Sequence, residues 1–187
     1  MRYQDGKGSS VIQILDNFFE DVLFQNIKNH CVTKLYYTPK YYDDPDVADI
    51  RDKTTHYGSR YILNNDPKLL DVFVQQANKK FNIKIKKLHP DCGVDMRNYD
   101  RFVPHTDTAL GAKINVLVMI SGPTAVNNGT VFYSGEKDKE ELDIHVGFRE
   151  NRAVLFPSGW IHSAHLSNVP NLRRHTATLF IQDYERI

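Results

Sequence analysis

The spacing of apolar residues changes once along this chain, from helical to alternating, near residue 82. Before that point two segments repeat apolar residues three and four apart, the period of one helix face. The first follows a short strand, VIQIL at 11–15. It carries Phe19, Val22, Leu23 and Ile27, with Asp16 placed to cap its start. The second, DPKLLDVFVQQANKKF, opens with Asp66 as N-cap and Pro67 in the first turn. It aligns Leu69, Leu70, Phe73 and Ala77 on one face. Between them, residues 36–62 are rich in Tyr, Asp and turn formers and predict irregular chain until their last few positions. After residue 82 the segments alternate: IKIKKL, VDMRNY, AKINVLVMI, TVFYS, LDIHVGF, RAVLF, WIHSAHL and RRHTATLFI, separated by SGP, NNG and PSG. Many short strands with such turns predict a mainly β sandwich or barrel behind N-terminal helices. The expected organisation is one domain over 1–187, helical to about 81 and β from about 82.

Composition alters this picture little. The 187 residues are 41% hydrophobic and 25% charged, ordinary values for a soluble globular chain. A net charge of +1 gives no support for a nucleic-acid partner. Lys84 and Lys86 alternate with Ile83 and Ile85, so they read as a solvated strand face. The opening MRYQDGKGSSVIQIL has no long apolar core and no small-residue cleavage site, and no apolar run approaches the roughly 20 residues that span a bilayer. A cytoplasmic protein without a membrane partner is the expectation. Cys31 and Cys92 read as reduced, buried thiols.

Two His-x-Asp triplets stand out, although chance alone gives roughly 0.7 in such a chain. HPD at 89–91 runs into Cys92-Gly93 and reads as turn chemistry. FVPHTD at 102–107 lies between a strand carrying Arg97 and Tyr99 and the long apolar strand INVLVMIS. A further histidine follows in FPSGWIHSAH, and then a strand opening RRHTAT. One histidine and one carboxylate beside a strand, with a second histidine from a distant strand, can form a 2-His-1-carboxylate face. That face suits ferrous iron and leaves positions for substrate and oxygen. A zinc hydrolase could use the same ligands. The arginine beyond the second histidine favours iron with a dicarboxylate. Guanidinium is a planar fork for a carboxylate, and a threonine two positions later shares its strand face.

These pieces resemble the Fe(II)/2-oxoglutarate-dependent dioxygenase superfamily, in its prolyl-4-hydroxylase-like branch, over residues 94–182. FVPHTD resembles the branch's Tyr-x-Pro-His-x-Asp segment and INVLVMIS its next strand. NNGTVFY resembles its Gly-Gly-Glu-Thr-x-Phe turn, GFRENRAVLFP the strand leading to the distal histidine, and RHTATLFI the strand of the basic residue. The resemblance implies a double-stranded β-helix, or jelly roll. It implies iron on His105, Asp107 and His162, with His162 five residues after Pro157 as in the family and His165 as its rival. It further implies Arg174 and Thr176 at the distal carboxylate of 2-oxoglutarate, with Arg173 pointing the other way. The implied activity is C–H hydroxylation with O2, releasing succinate and CO2, with ascorbate as an optional reductant. Two positions depart from the branch: arginine replaces its usual lysine at 174, and Phe102 replaces the tyrosine that contacts the co-substrate. Tyr99 and Asn115 are the candidates to supply the lost hydrogen bond. A lid formed by residues 36–62 would bring Tyr57, Arg60 and Tyr61 to a peptidyl or small-molecule substrate. Two other readings remain at this stage: a non-catalytic jelly-roll binding protein and a zinc-dependent hydrolase.

Overall fold

A computed structural model describes residues 2–4, 11–41, 56–97, 104–125, 128–134, 141–165 and 173–187. Its elements in chain order are β1 (Arg2–Gln4), β2 (Val11–Leu15), α1 (Asp21–Thr33), β3 (Thr38–Tyr41), β4 (His56–Ile62), α2 (Pro67–Phe81), β5 (Ile83–Leu88) and β6 (Gly93–Arg97). They continue as β7 (Ile114–Ser121), β8 (Gly129–Ser134), β9 (Glu141–Gly147), β10 (Arg152–Pro157), β11 (His162–His165) and β12 (Arg174–Arg186). Short 3-10 turns at Leu63–Asn65 and Thr108–Leu110 complete the series.

The strands form two sheets. The larger runs β1-β2-β10-β7-β12-β6-β4-β3, with β5 paired to the far half of β12. The smaller runs β11-β8-β9. Every residue of β7 but the last is buried, because both of its faces are covered. Val116, Val118 and Ile120 join the core under the helices, against Phe24, Ile27, Phe73 and Phe81. Leu117 and Met119 point the other way, between the sheets, where they meet Phe132 and Val146 of the small sheet and Val154 and Phe156 of β10. The period-two alternation thus assigns each side chain of β7 to one of two cores. Asn115 takes the face of Leu117 and Met119.

The helices show how far local pattern carries. Asp66 caps α2 as expected, accepting from the Leu69 amide at 3.0 Å, and Leu69, Phe73, Ala77 and Phe81 are its buried face. Asp16 does not cap α1, which begins at Asp21 behind Glu20. The Asn151 backbone carbonyl accepts from the Phe18 amide, and its side chain both accepts from and donates to the Phe19 backbone. That clamp holds 18–19 out of the helix, and Asp16 instead pairs with Arg149 and Arg152. The buried face of α1 is Phe24, Ile27 and Cys31, while Val22 and Leu23 are exposed. The expected division at residue 82 also shifts: β1 and β2 extend the large sheet at one end, and β3 and β4 at the other. An edge strand leaves backbone groups unpaired, and added strands satisfy them. Positions 42–55 of the aromatic segment lie outside the described residues. Cys31 and Cys92 are free and buried, and burial pushes both thiols up, Cys92 to about 11. No helix among the described residues is long and apolar enough to cross a membrane.

Candidate active site

A cavity of about 260 Å³ opens where the two sheets face each other, lined from β6, β7, β8, β10, β11 and β12. His105 and Asp107 enter it from the segment before β7, and His162 from the first residue of β11. His105 belongs to neither sheet. It is fixed to His162 by a two-way backbone bridge, N–H to O at 3.0 and 2.9 Å. The Asp107 amide donates to the Ser158 carbonyl at 2.9 Å. Backbone pairing therefore brings together two histidines 57 positions apart in sequence.

Their side chains converge. His105 Nε2 lies 3.5 Å from Asp107 Oδ1, and His162 Nε2 lies 3.3 Å from Asp107 Oδ2. One ligand atom from each of the three residues lies within 4.8 Å of the others. The ring of His162 is packed against Phe156, and its Nδ1 lies 2.9 Å from the Trp160 carbonyl. That contact requires Nδ1 to donate and turns Nε2 toward Asp107, the nitrogen that a metal would take. Asn115 Nδ2 donates to Asp107 Oδ2 at 2.6 Å from the fully buried β7. Burial works to raise the Asp107 carboxyl. The hydrogen bond and charge of His162, the charge of His105 and the Asn115 hydrogen bond outweigh it and hold the carboxyl below its ordinary value. Two imidazoles and an ionised carboxylate on one side of a cavity fit a divalent transition metal. Adjacent donors on a metal with bonds of about 2.1 Å sit about 3 Å apart, close to the two separations found.

Another part of the same lining carries a buried cation. Arg174, 2% exposed, donates through Nη1 to Gly129 O at 2.6 Å, Asn128 Oδ1 at 3.2 Å and His165 O at 3.3 Å, and lies over the Phe148 ring. Its Nε is buried without an acceptor among the described residues. Burial, then the charge of Arg97, pulls its pKa to about 9, with Asp95 opposing, so it stays charged at neutral pH. Thr176 and Thr130 line the same cavity, and the buried Thr130 hydroxyl has no partner among the described residues either. Unsatisfied buried donors are rare and call for a ligand or water. Arg174 and Thr130 both belong to the same cavity lining as the three-ligand group.

The structure therefore gathers His105, Asp107, His162, Arg174 and Thr176 around one space, and Asn115 is not in its lining. Asn115 faces Asp107. Arg60 lines the cavity, but Asp95 holds its guanidinium in a two-pronged pair, 2.7 Å at each contact. Tyr61 is half-buried and is not in the cavity lining. Tyr57 lies on β4 with its side chain outside the described part, and Tyr99 and Phe102 lie outside the described residues. His165 is exposed, its ring beside His145, and His89 sits in the expected turn. Arg173 is exposed. Thr130, in the cavity lining, and Asn128, beside Arg174, were not singled out; both lie in NNGTVFY, where Thr130 is the second residue of β8.

No family model matches this sequence, and no curated protein matches it. Solved structures do. A prolyl-4-hydroxylase from Pseudomonas putida is 12% identical with a TM-score of 0.61, over 96% of both chains. A prolyl hydroxylase from Trichoplax adhaerens, in complex with a hypoxia inducible factor oxygen degradation domain peptide fragment, is 13% identical with a TM-score of 0.59. That match covers 91% of this chain and 82% of the other. The non-heme alpha ketoglutarate dependent epimerase SnoN, from nogalamycin biosynthesis, is 10% identical with a TM-score of 0.60, over 94% of this chain and 77% of its own. The fold shared at such low identity is the double-stranded β-helix of Fe(II)/2-oxoglutarate oxygenases.

Proposed function

We propose that this chain, which has the double-stranded β-helix fold of Fe(II)/2-oxoglutarate oxygenases, is itself an oxygenase that uses Fe(II), O2 and 2-oxoglutarate. The observation that carries the reading is one cavity with two poles. One pole is His105, Asp107 and His162. The other is buried Arg174, its Nε without an acceptor and the Thr130 hydroxyl in the same cavity. A hydrolytic zinc centre or a plain binding module leaves the second pole without a purpose.

In this reading His105, Asp107 and His162 hold the iron. When bound, the iron supplies the site at which oxygen is activated as the 2-oxo acid loses CO2 to give succinate. The protein does the rest. Trp160 O fixes the tautomer of His162, and Asn115 orients Asp107. Arg174 holds the distal carboxylate, which sets the direction in which the co-substrate enters. Phe156, Leu117 and Phe180 in the cavity wall limit water. The outcome for the substrate is hydroxylation of a C–H bond, with a peptidyl or small-molecule substrate. Support for both classes comes from relatives: the Trichoplax enzyme is in complex with a peptide fragment, and SnoN with Fe3+, alpha ketoglutarate and nogalamycin RO.

The test is anaerobic. Fe(II) and 2-oxoglutarate added to the protein should give the weak visible charge-transfer band of the chelate in wild type and none in Asp107→Ala. A folded wild type with no band refutes the proposal. Turnover that ignores 2-oxoglutarate and oxygen would establish a hydrolytic metal site instead.

A further inference from the structure

The small sheet has a second face, turned away from the cavity. On β9, Ile144 and Val146 pack into the core between the sheets, so alternation turns His145 outward. On β11, His162 lines the cavity and His165, three positions on, lies on the other face. β8 runs between these two strands, which puts their backbones about 10 Å apart. The rings meet across it because β8 carries a glycine at the crossing. His165 is in register with Gly129, and Gly129 with Gly147. A Cβ on Gly129 would lie 2.6 Å from His145 Nε2, so that ring lies where a side chain of β8 would stand. The ring centroids of His145 and His165 are 5.1 Å apart, with the planes at 69°. His145 Nε2 is buried and has no hydrogen-bond partner among the described residues. Such an atom calls for a ligand or water. Burial, then the charge of His165, then that of Arg174 hold the His145 pKa below its ordinary value, so the ring is neutral at pH 7 and keeps a lone pair. Open space adjoins the pair, since a Cβ on Gly147 would meet nothing within 4 Å.

We propose that His145 and His165 form a second metal site, outside the cavity, which takes a zinc-class divalent cation with water completing its coordination. Two imidazoles bound through one nitrogen each to a tetrahedral zinc, with bonds of about 2.1 Å, have ring centres about 5 Å apart. The pair already stands at that separation. His145 Nε2 sits over Gly129, the residue directly opposite His165 in the ladder, and the exposed His165 ring can turn to present a nitrogen there. Imidazole donors favour zinc and copper over magnesium and calcium. Among the described residues no third histidine, cysteine or carboxylate joins the pair, so the site is open, unlike a four-ligand structural zinc. Its consequence is mechanical. An ion on both histidines ties the edge strand β9 to β11 across β8, and β11 is the four-residue strand that opens with His162. A ligand that binds only the folded sheet stabilises it. The inference does not depend on the function proposed for the cavity.

The experiment titrates Zn(II) into the full chain, by competition with a chromophoric chelator, and follows the melting temperature in the same samples. The background carries His105→Ala and Asp107→Ala, which disable the three-ligand group so that zinc bound there does not mask the second site. This protein should bind one Zn(II) and melt at a higher temperature with it, while Mg(II) gives no rise. Adding His145→Ala should weaken the binding by at least about tenfold, the cost of losing a group that merely orients a metal ligand, and should remove the rise. His165→Ala should do the same, and, being exposed, it carries the comparison if the His145 variant does not fold. If the background itself does not fold, the count in otherwise wild-type protein decides, and His165→Ala should lower it by one Zn(II). A folded background that binds no Zn(II), or binds it equally well without either histidine, overturns the proposal. Loss with His145→Ala but not with His165→Ala also overturns it, because the ion then has a different partner.

Discussion

Asn115→Ala removes one hydrogen bond from Asp107 and none of the three proposed metal ligands. Asn115 is fully buried, and its Nδ2 reaches Asp107 Oδ2 at 2.6 Å. A hydrogen bond to a charged acceptor contributes about 1.5–3 kcal/mol, which corresponds to about 10–150-fold in an equilibrium constant. Loss of a group that orients a ligand costs a similar 10–100-fold in metal affinity. The effect on the metal-free fold should be smaller. Asn115 Oδ1 has no partner among the described residues, so truncation also removes one such unsatisfied buried atom. The measurement is an anaerobic Mn(II) titration, beside melting temperatures in EDTA. The expected result is a 10–100-fold weaker metal site in a protein that still folds. His89→Ala, in the turn before β6, serves as control and should leave the metal site unchanged. A folded Asn115→Ala protein that binds Mn(II) within about twofold of wild type would show that Asp107 needs no help from β7, and the argument built on the 2.6 Å contact would fail.

Three further outcomes follow from buried groups elsewhere. Arg60→Ala leaves Asp95, with a side chain 6% exposed, without its two-pronged partner, and should destabilise the fold by about 3–5 kcal/mol in denaturant unfolding; a loss near zero would mean that the pair is solvated. Thr130→Val removes a buried hydroxyl that has no partner among the described residues, so the ligand-free protein should be equally or more stable while 2-oxoglutarate binds more weakly; a titration showing unchanged affinity would exclude that hydroxyl from the site. His175 is held neutral, its pKa pulled to about 4 by burial and then by Arg173. The unfolded histidine titrates near 6.5, so between those values the unfolded chain binds one more proton. This contribution is full above about pH 6.5 and is lost as pH falls to about 4, by up to about 3 kcal/mol. His175→Leu should lose less stability than wild type between pH 7 and pH 5, and equal losses would refute the assignment.

The fold was legible wherever one residue pattern met one environment. The strands from β5 to β12 alternate because each side chain chooses between two cores or between core and solvent, and α2 carries its own N-cap and apolar stripe. α1 was misplaced because its start is decided by Asn151, about 130 positions away, which no local window contains. β2 was expected as a strand but not as part of this sheet, and β1, β3 and the start of β4 were not expected, for a related reason: the partners of β2 and β4 are β10 and β6, so their pairing is a property of the assembled sheet. At the site, His105, Asp107, His162 and Arg174 could be picked out because their residue types and order are unusual. Thr130 could not. A buried hydroxyl without a partner among the described residues is a fact of three-dimensional placement, and threonine is ordinary at any strand position.

The proposed metal ligands and the groups that orient them sit on elements of different strength. His162 opens a four-residue strand, and His105 is held by an isolated bridge. Asn115 and Arg174 sit on β7 and β12, eight and thirteen residues long and paired to each other through most of the central sheet. Short elements with few ladder bonds open at the lowest free-energy cost. The long strands thus supply fixed points, Asn115 for Asp107 and Arg174 for the proposed carboxylate, against which the weaker segments are positioned. A metal shared by His105, Asp107 and His162 would tie the bridge segment to β11 by bonds other than the two backbone contacts, so binding free energy there becomes local folding free energy. On this argument the rigidity of the centre comes partly from the ligand it holds, and the preorganised part of the site is the large sheet behind it.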